Sequence, residues 1–252
     1  MILYLEEMAM GKIFPTLKTV VAILLVLSVI TGCGTGGLGE TPSSGTTPGT
    51  TPGTTPGTTP TVTTITGYVV DGFIANATVT AYQINPNGTK GNAIGSPTQT
   101  DASGHYSLSL SYTGPVLVES AGGTYTDWAT GNKVTLTPAD KLSAVISNAK
   151  DTVTINLTPL TNMASLRALQ DIAVNKTAIP ASVDTANNKV GNYFGGIDII
   201  KDTPIDPTVS NSAVAASQNS IDYALILAGI SQNAKTNALN PFSMVVALAK
   251  DA

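Results

Sequence analysis

Between Thr46 and Pro60 the chain repeats Thr-Pro-Gly-Thr with a period of four residues. Proline at every fourth position fixes φ and removes a backbone donor, which blocks helix and sheet ladders, and glycine adds conformational freedom. Residues 34–60 carry no hydrophobic pattern. Such a segment cannot bury enough apolar surface to offset its ordering entropy. It reads as a tether that divides the 252 residues into a leader and a folded portion. Fully extended, it would reach roughly 80 Å at about 3.1 Å per residue.

Ahead of the tether, Lys12 and Lys18 precede the apolar run Val20–Ile30. The run has about a dozen residues, within the length of a signal-peptide core. A membrane-spanning helix needs roughly 20. The run ends in Ile30-Thr31-Gly32-Cys33, which resembles a bacterial lipobox. The resemblance implies a lipoprotein signal peptide over 1–32, cleavage before Cys33 and diacylation of its thiol (palmitate or a similar acid). One acyl chain anchors marginally and two hold firmly. Glu6 and Glu7 do not suit a basic leader, and a start at Met8 or Met10 would remove them. Gly34 in place of Asp implies outer-membrane sorting in a Gram-negative host.

Charge is sparse, 11% of residues against about 25% in ordinary soluble domains. The net charge is -4 and no run of Lys or Arg occurs, so the electrostatic footprint of a nucleic-acid binder is missing. One Cys and one His exclude an internal disulfide and a multi-cysteine or histidine-based zinc site.

After Pro60 the pattern alternates. Strands are expected at 64–70, 76–82, 106–110, 116–119, 133–136, 142–146 and 152–157, with a strong turn at Asn85-Pro86-Asn87-Gly88. Short strands at intervals of about 8–12 residues suggest a sandwich. Gly67-Tyr68-Val69-Val70-Asp71-Gly72, then Ala77–Tyr82, then Thr100-Asp101-Ala102-Ser103-Gly104-His105-Tyr106-Ser107-Leu108 resemble the carboxypeptidase regulatory-like (transthyretin-like, or prealbumin-like) domain. The resemblance covers about residues 62–120. It implies a seven-stranded Greek-key β-sandwich over 61–158, of prealbumin/Ig-like type. It implies no peptidase activity; such domains act as spacers, folding aids or interaction modules.

Asp101, Ser103 and His105 invite a catalytic reading. A turn explains them more simply: Asp101 accepts backbone N–H bonds and Gly104 supplies the unusual dihedrals. Asp71, Asp101 and Asp127 would be the acids for a shared Ca²⁺, but nothing in the sequence gathers them. No catalytic residue, metal ligand or cofactor site is therefore assigned. Tyr112, Tyr125 and Trp128 are the candidate ligand-binding residues, as an aromatic surface for sugar stacking. Packing of Trp128 in the core is the competing reading.

At Leu157-Thr158-Pro159 the period changes. Thr158 suits an N-cap with Pro159 at N1. Leu160, Met163, Leu166, Leu169 and Ile172, widened by Ala164 and Ala168, form an apolar stripe. Further helices are expected from about Ala181 to Phe194, about Asn211 to Gln232, and after Asn240-Pro241, about four in all. The fold class is thus α+β in two segregated parts, a sandwich followed by a helical domain over 159–252. The last helix reaches Ala252 without a C-cap glycine or polar tail, which suits a truncated chain or an end covered by another subunit. Strand, Leu-Thr-Pro-Leu-Thr, helix is similar to a junction in bacterial lipoproteins that carry a helical domain after such a sandwich. Asp171, Asp184, Asp198, Asp202, Asp206 and Asp222 form no known motif.

The expected function is a non-catalytic binding or structural role, not an enzyme. The protein would be held extracytoplasmically in the cell envelope by the lipid on Cys33. Its expected partners are the membrane, an envelope protein or a polysaccharide. The alternatives are a carbohydrate-binding surface protein and an extracytoplasmic hydrolase.

Overall fold

Alternation of buried and exposed positions sets the strands. In β1 (Thr63–Tyr68) the side chains of Thr63 and Ile65 point inward, and in β4 (His105–Leu110) those of Tyr106, Leu108 and Leu110 do. The computed structural model describes residues 62–240, 242–245 and 247. Cys33, its lipobox Ile30, Thr31 and Gly32, and the tether lie outside the described residues. Pro56–Ala252 falls within one compact unit.

Among the described residues the seven strands form two sheets. One has the order β4-β1-β7, where β7 is Thr152–Thr154. Strand β1 lies antiparallel to β4, with Ile65 opposite Leu108, and parallel to β7. The second has the order β3-β2-β5-β6, all antiparallel. Its strands are β2 (Thr78–Ile84), β3 (Lys90–Gln99), β5 (Gly114–Thr126) and β6 (Lys133–Ala149).

Three strand expectations need correction. Strand β3 was not expected, because Lys-Gly-Asn-Ala-Ile-Gly-Ser-Pro-Thr-Gln contains one large apolar residue, Ile94. As an edge strand it needs little burial and tolerates Pro97. Strand β5 is longer than 116–119, running through a register shift between Ala121 and Gly123. The strands expected at 133–136 and 142–146 are one strand, β6. Pro138 sits within it because β6 is the other edge of its sheet.

Helix α1 (Pro159–Asn175) starts where expected. The Thr158 hydroxyl accepts the Thr161 N–H at 3.2 Å, and the Thr161 hydroxyl accepts the Thr158 N–H at 2.8 Å, a reciprocal capping box. Its buried face keeps Leu160, Ala164, Ala168 and Ile172 of the expected stripe, with Met163 and Leu169 partly buried against the core, while Leu166 is exposed. With 3.6 residues per turn, a row spaced by three drifts about 60° per step and a row spaced by four about 40°. The slower drift keeps the four-spaced row on one neighbour. Helix α2 (Ile179–Tyr193) matches its expected span. Helix α3 (Gln218–Thr236) begins seven residues later than expected, at the N-cap Ser217, whose hydroxyl accepts the Ser220 N–H. Residues 242–245 are helical, and the Asn240 side chain accepts the Phe242 N–H.

Sheets and helices share one core. Helices α1 and α2 pack on each other and on β6. Gly88, in the β2–β3 turn, lies against α1; a Cβ there would come within 2.3 Å of the Leu169 carbonyl. Buried apolar residues continue from Ile65 and Leu108 through Ile155 and Leu157 to Leu160, Tyr223 and Leu227. Across residue 158 the contacts are also polar. Buried Asn156 accepts the Tyr68 N–H and donates to the carbonyls of Lys201 and Asp202. The chain is therefore mixed α+β, with a sheet-rich part and a helical part. Among the described residues no helix is long and apolar enough to cross a membrane.

Candidate functional site

The three candidate aromatic residues do not form a surface together. Tyr112 precedes β5, half-buried, with its hydroxyl donating to the Pro115 carbonyl at 3.2 Å. Tyr125 lies at the far end of β5, roughly 40 Å of strand away at about 3.3 Å per residue. Its ring is buried, only 3% exposed, so it cannot stack on a sugar. Trp128 is partly buried and packs edge-on against Phe73, with ring centroids 6.3 Å apart.

The segment after Thr100 is a turn built by one carboxylate. Asp101 Oδ1 accepts from Ser103 N at 2.8 Å, Ser103 Oγ at 2.7 Å and His105 N at 3.0 Å. These bonds, led by the Ser103 hydroxyl, hold the Asp101 carboxyl below its ordinary range. Gly104 takes a φ of 77°. His105 Nε2 is bonded to the Thr66 hydroxyl at 2.8 Å. The Ser103 hydroxyl thus serves Asp101, and no Ser-to-His relay is set up.

Asp71 and Asp127 are brought together, which sequence spacing did not reveal. Both are buried. Tyr125 donates to Asp71 Oδ2 at 3.0 Å. Asp127 Oδ1 accepts from Thr130 N and Oγ1, while its Oδ2 has no donor among the described residues. Loss of solvent pushes the Asp71 carboxyl up to about 7; the Tyr125 bond opposes this and the Asp127 charge adds to it. Burial, then the Asp71 charge, pushes the Tyr125 phenol up as well. Asp101 is exposed and does not join them. Among the described residues no three His, Cys, Asp or Glu side chains are placed to hold a metal ion.

A concavity lies elsewhere, between β6, α2 and the loop 196–201. It is a groove of about 520 Å³. Helix α2 builds it by its period: Val183, Ala186 and Val190 face the core, while Asp184, Asn187, Asn188, Gly191 and Asn192 line the groove. The spacing i, i+3, i+4, i+7, i+8 is that of one helix face. Ser147 and Asn148 of β6 and Asp198 and Lys201 of the loop contribute from the other sides, over Ile146, Val153 and Ile199. Asn187 Nδ2 donates to the Val145 carbonyl at 2.9 Å, and its Oδ1 is buried without a donor among the described residues. Asp198 Oδ1 accepts the N–H groups of Ile200 and Lys201, which shapes the loop, and Lys201 Nζ lies 3.6 Å from Asp198 Oδ2. Two carboxylates and one ammonium thus face an array of amides. This polar stripe has no apolar periodicity, the pattern by which the helix itself was expected. The signal was present as four Asn or Asp residues at helical spacing between 184 and 192.

No model of a known protein family matches this sequence, and no curated protein matches it. Among solved structures, a similarity is found to a 9R-lipoxygenase from Cyanothece PCC8801. The two are 11% identical, with a TM-score of 0.22, over 54% of this chain and 25% of the lipoxygenase. The match thus spans about a quarter of that protein's length, and a TM-score at that level carries no argument about fold or activity.

Proposed function

We propose that this protein is a lipid-anchored cell-envelope component with a non-catalytic binding role, and that the groove between β6 and α2 is where it binds. The observation that carries the binding role is the groove itself, a concave, amide-lined surface where sheet and helices meet. The anchor rests on Ile30-Thr31-Gly32-Cys33 lying between an apolar leader and a Thr/Pro/Gly tether. Together they describe a binding domain held outside the cytoplasm by an acylated Cys33, at the outer membrane in a Gram-negative host.

The sheet-rich part is, on this reading, a Greek-key sandwich of the carboxypeptidase regulatory-like kind. In its favour, β4 returns to pair with β1 while β2 and β3 belong to the other sheet. The Asp101–His105 segment, part of the stretch that carries the resemblance, is a turn held by the Asp101 carboxylate. Against a hydrolase built on that turn stands the Ser103 hydroxyl, bound to Asp101 and not to the imidazole.

Metabolic labelling with a palmitate analogue tests the anchor. Wild type should take up label and fractionate with membranes, and Cys33→Ala should do neither. Wild-type chain found unlabelled in the cytosol with residues 1–32 still attached would overturn the reading.

A further inference from the structure

We infer that the groove between β6 and α2 takes a short neutral glycan. This rests on the binding reading above and names its ligand class. The lining chemistry points there. Each side-chain amide presents a donor and an acceptor on one rigid group, which suits a hydroxyl that is itself both. Asn148, Asn188 and Asn192 are exposed around the groove, with Asp184 beside them. Carboxylates of this kind accept hydrogen bonds from adjacent hydroxyls. Ile146 and Ile199 are nearly buried and Val153 is partly exposed, so the apolar floor of the groove is too small for an acyl chain.

Charge and size narrow the class. Two carboxylates outnumber the single ammonium of Lys201, which is already engaged by Asp198, so a phosphate-rich or polyanionic ligand is repelled. The volume, about 520 Å³, falls within the range of small-ligand sites.

A peptide is the competing occupant. Peptides commonly dock by adding a strand to a sheet edge. Strand β6 is such an edge, but at Val145 its carbonyl is already bonded to Asn187. The groove offers side-chain amides where strand addition needs open backbone, which favours the glycan. No aromatic ring is among its lining residues, so binding should be weak, with a dissociation constant of about 1 mM.

Saturation-transfer NMR on the full chain tests this, with maltose, cellobiose, lactose and diacetylchitobiose as probes and tetraalanine as the peptide control. At least one disaccharide should receive saturation. Asn188→Ala and Asn192→Ala should each weaken its binding about threefold to tenfold, with unchanged melting temperatures as the check on folding. Saturation undiminished in both variants would overturn the assignment of the site. Transfer to tetraalanine alone, lost in the variants, would overturn the glycan while leaving the groove as the binding site. Transfer to no probe would sink the glycan and the groove together, with anchoring at Cys33 still read separately by palmitate labelling.

Discussion

Asp71 is a carboxyl group placed where ionisation is costly. Its folded pKa is about 7, against an ordinary 3.8, and burial is the main cause. A carboxyl whose pKa is raised on folding binds its proton more tightly in the folded state. The stability it contributes is therefore fully present below about 4 and is lost as pH rises through 7. Asp71→Asn keeps an acceptor for Tyr125 and removes the buried ionisable group. Thermal unfolding as a function of pH should show the variant gaining on wild type from pH 4 to 8, by on the order of a few kcal/mol. A gain that does not grow with pH would show that Asp71 ionises without cost. Asn156 is a second residue whose bonds outweigh its size. Asn156→Ala leaves the Tyr68 N–H and two loop carbonyls without their partner. Urea unfolding should show a loss of about 2 kcal/mol or more, and Asn156→Asp, which restores only the acceptor, should not rescue it.

At the scale of elements, α1 offers a direct test of which face is buried. Leu160→Ala should cost about 2–5 kcal/mol and Leu166→Ala less than about 0.5 kcal/mol, both read from denaturant midpoints. Thr158→Ala removes half of the capping box and the 2.6 Å bond to Tyr223, and should cost about 1–2 kcal/mol. The start of α1 was legible because Thr158-Pro159 is a local signal. The face was less so: Leu166 and Leu160 are the same residue type, and only the neighbour distinguishes them. Strand β3 was illegible because an edge strand satisfies its backbone by pairing with β2 and needs almost no apolar side chains. Strand β6 read as two because Pro138 interrupts the pattern, and only the sheet order makes a proline harmless there. For the groove, the helix α2 was anticipated and its polar face was not. Asp184 and Asp198 stand apart in the sequence as isolated acids, and it takes the loop 196–201 beside α2 to bring both to one groove. Tyr112 and Trp128 stood out as aromatics, yet the length of β5 separates them.

On the scale of the whole molecule, the strand-to-helix switch at residue 158 is a change of local period and not a break in packing. Ile155, Leu157, Leu160 and Tyr223 belong to one buried cluster, and Asn156 binds both β1 and the loop at 201–202. The chain beyond the tether should therefore unfold in a single calorimetric transition, with matching melting curves for near-ultraviolet and far-ultraviolet dichroism. A fragment ending at residue 158 would expose Ile155 and Leu157 and should show no cooperative transition. Two separated transitions in the intact chain would show that the parts are energetically independent.

The position of β1 also has a mechanical meaning. It is the first strand after the tether and lies between β4 and β7, bonded to both. Were Cys33 fixed to a surface by the proposed lipid, tension along the chain would enter the described fold at that strand. Extracting β1 would then require breaking hydrogen bonds to both neighbours. Drag on such a domain would be met by the most securely bonded strand of its sheet.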